Sequence, residues 1–220
     1  MEKEKIILVG CGQHCNVVLY NANEQGVYDI VGIVDSNSDK VGTCVHDIPI
    51  LANYNDLEKL NEIKVKYRTN KFFISFGNMK YRKSCFEYFV NNGWEAVNII
   101  HPNAIISKNA KIGKGVLIEC GCLITPNPII GDNVVVNTGS QVNHDNVICD
   151  HVYLASGVVL SGGVIIGENS LIDDGVIITL GVNVGKNCII GAGSVVTKNI
   201  GDNIIAYGNP CKSIKNNNKY

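Results

Sequence analysis

The sequence predicts a small Rossmann-like α/β domain followed by a parallel β-helix. Three observations carry that expectation. An aliphatic residue recurs at every sixth position from Ile112 to Val196, fifteen times without a slip. Three residues after each aliphatic stands Gly or Asn in thirteen of the fifteen cases, Asp145 and His151 being the exceptions. The first hundred residues lack this period and instead alternate apolar runs with helical stretches.

Residues 6–9 form a continuous apolar run, the mark of a buried parallel strand. Gly10-Cys11-Gly12-Gln13-His14-Cys15 follows, then a helical stretch through Asn23. A second strand, 30–34, ends in Asp35. Residues 55–63 and 81–91 read as helices, and 72–76 and 96–99 as strands. This alternation implies a Rossmann-like sheet over 1–98. A Gly10-x-Gly12 loop ahead of a helix suits a phosphate at the helix N-terminus. The third glycine of the dinucleotide fingerprint is missing, because Cys15 stands there. That argues against NAD and leaves two readings: a single nucleotide with Asp35 reaching its ribose or base, or a bare tight turn.

The six-residue period implies a different architecture for residues 99–200. Gly and Asn tolerate positive φ best, so the chain is expected to turn at every sixth residue. The period is too short for a helix, so each face is a single short strand and three faces make one coil of eighteen residues. Ile100 and Ile106 extend the register backward, while Trp94 and Asp202 end it. Gly113, Gly131, Gly167 and Gly185 fall on the eighteen-residue lattice, with only Cys149 breaking it. The position two before each aliphatic is small or β-branched (Val116, Cys122, Val134, Ser140, Val152, Val158, Val164) and should share the interior. A β-sandwich that happens to alternate would not hold a fifteen-step register. Residues 201–220 read as a C-terminal tail.

Composition bounds the function. A net charge of −1 with 45% apolar residues gives no electrostatic attraction for nucleic acid or membrane. The charged N-terminus runs straight into a strand, and no run of 18 apolar residues exists, so a cytoplasmic location is expected. Nine scattered cysteines suit reduced thiols. The Cys11/Cys15 and Cys120/Cys122 pairs lack a partner pair at zinc-site spacing, so no metal is expected.

Two histidines lie inside the repeat. His144 comes two residues after Val142 and points outward, with Asp145 following at the turn. An exposed imidazole oriented by a carboxylate serves as a general base near neutral pH. One coil later stands Gly162, which leaves room for a thioester and can offer its N–H to an oxyanion. His151 falls on a different face. A zinc carbonic anhydrase, which shares this prism, needs three clustered histidines and is disfavoured. A solvated surface histidine is the bland reading of His144.

Several motifs recur in order: Gly10-Cys-Gly-Gln-His14, Val34-Asp35, Phe76-Gly77-Asn78, His101-Pro102, Asn137-Thr-Gly139, Val142-Asn-His144-Asp145, Gly191-Ala-Gly-Ser-Val-Val196 and Gly208-Asn-Pro210. Across nearly the whole chain this resembles the hexapeptide-repeat sugar acetyltransferases of the sialic-acid O-acetyltransferase and bacillosamine-pathway N-acetyltransferase type. The resemblance implies a left-handed prism, although right-handed crossovers are the general rule. It implies acetyl-CoA as co-substrate, a homotrimer with active sites between neighbouring prisms, and a role in surface-glycan biosynthesis. It also implies site residues. His144 is the base, with Asp145, and Asn137 positions the sugar or the imidazole. Gly162 faces the thioester. Coenzyme A lies along Ala155, Gly162, Gly163, Leu180, Ala192, Gly193, Lys198 and Pro210. The nucleotide-linked sugar is held by Gly10, Cys11, Gly12, His14, Asp35, Ser36, Gly77 and Asn78. Two departures stand out: Ser36 where many relatives carry a second acid, and Cys15 for a usual glycine. The expected reaction is direct N-acetylation of a nucleotide-linked sugar, a 4-amino-4,6-dideoxy sugar first. O-acetylation of a sialic acid or other sugar hydroxyl, and a non-catalytic nucleotide-binding scaffold, are the alternatives.

Overall fold

The computed structural model describes residues 2–218. Its contacts divide the chain into two compact units, one ending at Ile99 and one beginning at Ile100.

The first unit is a parallel sheet with helices. Its elements in chain order are β1 (Glu4–Val9), α1 (Gln13–Gln25), β2 (Tyr28–Asp35), β3 (Cys44–Val45), β4 (Ile48–Asn53), α2 (Leu57–Tyr67), β5 (Lys71–Ile74), α3 (Met79–Asn91) and β6 (Glu95–Ala96). The strand order is β3-β4-β2-β1-β5-β6, with β3 antiparallel to β4 and the other pairs parallel. The chain moves outward from β1 to β2 and β4, then returns to place β5 on the other flank of β1. The crevice at the carboxyl ends of β1 and β5 is therefore the topological switch point, where open α/β sheets bind ligands.

Local chemistry sets the element ends. Helix α2 begins at Leu57, because the Asp56 side chain accepts the Lys59 N–H at 3.1 Å. Asn78 caps α3 in the same way through the Lys80 N–H. Helix α1 runs past Asn23 to Gln25 and closes at Gly26, whose φ is +74°. The expected strand over 96–99 is interrupted: β6 stops at Ala96 and the next strand starts at Ile99. The β3–β4 hairpin turns through His46 and Asp47, both at positive φ (45° and 67°). No glycine marks that turn, so the sequence does not announce it. Phe72 stacks on Phe89 at 4.9 Å, and Trp94 meets Phe89 edge-on, closing the core beneath α3.

The second unit is a left-handed parallel β-helix. Its first face runs through Leu117–Ile118, Val135–Val136, Tyr153–Leu154, Leu171–Ile172 and Ile189–Ile190. The second runs through Leu123–Ile124, Gln141–Val142, Val159–Leu160, Ile177–Ile178 and Val195–Val196. The third runs through Lys111–Ile112, Ile129–Ile130, Val147–Ile148, Ile165–Ile166 and Asn183–Val184. Each strand pairs in parallel with the one eighteen residues on, as in Leu123↔Gln141. From Ile118 to Val196 the repeating aliphatics are at most 2% exposed, and the seven residues expected beside them are equally buried.

The turn positions adopt positive φ at every expected residue except Asn199. The last coil is two residues short: Val196 is still in register, but Ile200 pairs with Val184, and Asn183, Lys186 and Asn187 bond partners sixteen residues away, so Asn203 makes the left-handed turn one coil beyond Asn187. The lattice glycines face crowding from the next coil. A Cβ on Gly131 would lie 2.2 Å from Asp150 Oδ1, and one on Gly185 would lie 2.4 Å from Asp202 Oδ1. Beyond the register, Ile204–Gly208 adds a strand to the first face and Cys211–Asn216 folds back on it. The expected tail therefore contains a hairpin, and its last two residues, 219–220, lie outside the described residues.

Candidate active site

The prism has three edges where its faces meet. On the edge between the second and third faces, His144, Gly162, Leu180 and Lys198 stack at eighteen-residue intervals. His144 and Asp145 are each 60% exposed, with Nδ1 2.9 Å from Asp145 Oδ2. A carboxylate only accepts, so the neutral imidazole carries its proton on Nδ1 and leaves Nε2 as the basic nitrogen. Asn127, one coil before Asp145, donates from Nδ2 to Asp145 Oδ1 at 3.2 Å. The hydrogen bond from His144, then that from Asn127, hold the Asp145 carboxyl below its usual pKa.

Gly162 lies directly against the imidazole. A Cβ there would sit 2.3 Å from Nε2 and 2.4 Å from Cε1 of His144, so the ring occupies the space a side chain would need. The Gly163 N–H donates to the His144 carbonyl at 2.9 Å, which ties the two turns together. Nε2 thus faces a small open turn of backbone, a geometry suited to proton transfer next to a carbonyl or thioester.

The other prism residues of interest divide between edges. Gly163 shares the His144 edge, whereas Ala192 and Gly193 turn the edge between the first and second faces, and Ala155 directly follows a first-face strand. Pro210 sits at the tip of the C-terminal hairpin. Asn137 also directly follows a first-face strand. Its Nδ2 donates to the Tyr153 hydroxyl at 3.1 Å, while its buried Oδ1 has no partner among the described residues. Within one chain the structure joins His144, Asp145 and Gly162 but leaves Asn137 a full face away. His151 is buried on the third edge, 3.0 Å from Asn133 Nδ2. Among the described residues, no group of three or more His, Cys, Asp or Glu is placed to hold a metal ion.

In the first unit, a cavity opens at the carboxyl ends of the strands. Gly10 and Gly12 follow β1, Asp35 ends β2 with Ser36 next to it, and Phe76 and Asn78 follow β5. Gly10 has φ +101°, and a Cβ there would lie 2.6 Å from Phe76 Cδ1. At Gly12 nothing lies within 4 Å of a Cβ, so its bareness answers no packing demand and leaves the N-terminus of α1 open. Asp35 accepts the Cys11 N–H at 2.8 Å and the Asn37 N–H at 2.9 Å, one on each oxygen. Burial would raise its carboxyl, but the hydrogen bonds from Cys11 and Asn37 outweigh it and the net shift is downward. Ser75 donates to the carbonyls of Val9 and Gly10, and Arg82 to those of Ile74 and Phe76, fixing the loops around the cavity.

Cys11, His14 and Gly77 do not line this cavity. Burial, reinforced by the Arg82 charge, pushes the His14 imidazole down to about 4, so it is neutral at physiological pH. Lys40, Tyr54 and Tyr81 do line the cavity, though no motif marked them. Lys40 reaches it from a 3₁₀ turn, Ser38–Lys40, its Nζ 3.3 Å from Cys11 Sγ. On the prism, Asn127 and Tyr153 were also unmarked. For Asn127 the eighteen-residue step back from Asp145 is a signal the sequence does contain.

Comparison with known proteins gives two family matches. Residues 5–89 match the PglD N-terminal domain, and residues 163–198 match the bacterial transferase hexapeptide (six repeats). No curated protein sequence matches significantly. Among solved structures, the chain is similar to a histidine-to-asparagine mutant of perosamine N-acetyltransferase from Caulobacter crescentus in complex with CoA and GDP-perosamine. Identity is 28% and the TM-score 0.88, over 96% of this chain and 97% of that one. It is also similar to the acetyltransferase domain of PglB from Neisseria gonorrhoeae FA1090 in complex with acetyl coenzyme A, at 28% identity and TM-score 0.85 over 97% and 100%. WeeI from Acinetobacter baumannii AYE shares the fold at 22% identity and TM-score 0.70, over 96% and 100%.

Proposed function

The chain belongs to the hexapeptide-repeat sugar acetyltransferase family, and on that premise we propose that it transfers acetyl from acetyl-CoA to the amino group of a nucleotide-linked sugar. The observation that carries the proposal is the imidazole of His144, its Nδ1 bonded to Asp145 and its Nε2 over bare Gly162. The relatives supply the partners: CoA and GDP-perosamine with one, acetyl coenzyme A with the other.

The transfer is direct. The amine attacks the thioester carbonyl while Nε2 of His144 takes its proton. The tetrahedral oxyanion meets the Gly162 N–H. Collapse expels the coenzyme A thiolate, which recovers a proton from the imidazolium. The nucleotide is held in the first unit at the cavity beside Gly10, Gly12, Asp35, Ser36 and Asn78. Asp35 shapes the Cys11 loop for it, and neutral His14 lies in the first turn of α1. Coenzyme A follows Gly162, Gly163, Leu180 and Lys198 along one edge, with Ala155, Ala192, Gly193 and Pro210 completing its site.

A homotrimer accounts for the division of these residues between edges. Asn137 and His144 are seven residues apart in the chain, at opposite ends of one face and on different edges of the prism. A single sugar reaches both only if they come from neighbouring copies. A cytoplasmic role in surface-glycan synthesis agrees with nine cysteines that are all free thiols.

The test is thiol release with acetyl-CoA and UDP-, dTDP-, GDP- and CMP-linked amino sugars. His144→Ala should lower kcat by roughly 10²–10⁴ with no loss of thermal stability, since the ring is 60% exposed. Near-wild-type turnover by the variant, or no coenzyme A release with any of these sugars, overturns the proposal.

A further inference from the structure

We propose that Asn146 is a positioning residue for acetyl transfer, clamping the Gly162–Gly163 turn at a fixed height above His144. The inference rests on the acetyltransferase reading above. Asn146 is fully buried inside the prism, two residues beyond the histidine. Its Oδ1 accepts the Val164 N–H at 2.7 Å. On either side, the Gly163 N–H donates to the His144 carbonyl and the Val147 N–H to the Val164 carbonyl, both at 2.9 Å. Three hydrogen bonds therefore lock the turn that faces Nε2 to the turn that carries it.

The same interior slot elsewhere shows what is particular about this clamp. One coil higher on the same edge, the Gly181 N–H reaches back to the Gly162 carbonyl, but the Val182 N–H folds onto Thr179 O of its own coil at 3.3 Å. Among the described residues no side chain holds it. On the other two edges a serine does the job. Ser140 Oγ accepts the Val158 N–H at 3.2 Å, and Ser170 Oγ accepts the Cys188 N–H at 2.9 Å. Each serine hydroxyl also donates, to Ala155 O or Gly185 O, so nothing is left over.

Asn146 is a poorer choice for the fold alone. Its Nδ2 is buried without a partner among the described residues, an arrangement native interiors rarely keep without a reason. What it provides is the shortest of the three bonds, at the one turn whose glycine lies against the catalytic imidazole. Local rules are broken most often where function needs a particular geometry. Fixing the Val164 N–H fixes the peptide planes just before it, including the Gly162 N–H that meets the oxyanion.

The experiment compares Asn146→Val with Ser170→Val. Valine already fills this slot at Val116, Val134, Val152, Val158, Val164, Val176 and Val182, so both variants should pack. Each loses one clamp, and their melting temperatures should fall alike. Displacement of a reacting group by about 1 Å costs up to about 10²-fold. N146V should therefore lose at least about tenfold in kcat with KM for acetyl-CoA held within about threefold, whereas S170V should keep kcat within about threefold. Asn146→Ser should restore kcat to within about threefold of wild type. If N146V does not fold, Asn146→Ala removes the same bond and should show the same split. An N146V or N146A enzyme with kcat near wild type, or an S170V enzyme equally impaired, overturns the inference while leaving the acetyltransferase reading intact. An inactive wild-type enzyme overturns both.

Discussion

Gly162→Ala isolates the contact on which the proposed site depends. The added Cβ would lie 2.3 Å from His144 Nε2, against an ordinary contact of 3.4 Å, so the imidazole must retreat by 3.4 − 2.3 = 1.1 Å. The three nearest atoms all belong to that ring, and Gly162 is not in the left-handed region, so the backbone itself accepts alanine. The ring is 60% exposed and can swing into solvent. Stability should therefore change by no more than about 0.5 kcal/mol. Activity is another matter. A displacement of about 1 Å at a reacting group costs up to about 10²-fold in rate, or about 2.7 kcal/mol of transition-state stabilisation. The assay is kcat by thiol release with a thermal melt of the same preparation. In a His144→Ala background the clash no longer exists, so the two losses should not add. A Gly162→Ala enzyme with kcat within about threefold of wild type, or one whose activity falls only because it unfolds, refutes the reasoning.

Two further predictions concern the first unit. Gly12→Ala meets no atom within 4 Å, so the fold should be unchanged. KM for the nucleotide sugar should rise by about tenfold or more, as expected for lost binding, with KM for acetyl-CoA unaltered; an unchanged sugar KM removes the loop from the binding site. His14 sets a pH dependence. Its folded pKa of about 4 lies below the ordinary 6.5, so between these values the unfolded chain binds a proton that the folded chain excludes. Stability is complete above pH 6.5 and is lost as the pH falls toward 4, by about 2 kcal/mol at pH 5. The lowered Asp35 carboxyl acts in the same direction, but only as the pH drops through values below 3.8. The loss from pH 7 to pH 5, read from denaturant midpoints, should therefore be smaller in His14→Gln; equal losses would show that His14 does not carry it.

Much of this was legible because the coils repeat a one-dimensional rule. Every sixth residue must be aliphatic to fill the interior, and every turn must accept positive φ, so the pattern is written at fixed spacing in the chain. Even Asp145 and His151, which break the Gly/Asn preference, adopt the left-handed turn at φ 60° and 62°, because the stack of neighbouring coils overrides local propensity. The rule failed where the last coil lost two residues between Val196 and Ile200, so that Asn199 lacks the positive φ expected of it and the next turn falls at Asn203, sixteen residues after Asn187. In the first unit the strand–helix alternation was readable. The hairpin through His46 and Asp47 was not, because residues without a turn signature are held there by pairing with β4.

The sequence by itself determined the two architectures, the register of the prism, and the stacking of Gly162 one coil from His144. These follow from periodicities of burial and backbone conformation, which need no distant contacts to be read. Only the tertiary structure decided which way side chains point and what holds them. It set the imidazole against Gly162 and engaged Asp145 with Asn127. It turned Asp35 toward the Cys11 loop and brought Lys40 and Tyr81 to the cavity. It gave Asn146 a clamp where the sequence offers only a break in a valine pattern. Such placements depend on rotamers and on partners many residues away, and no local period encodes them.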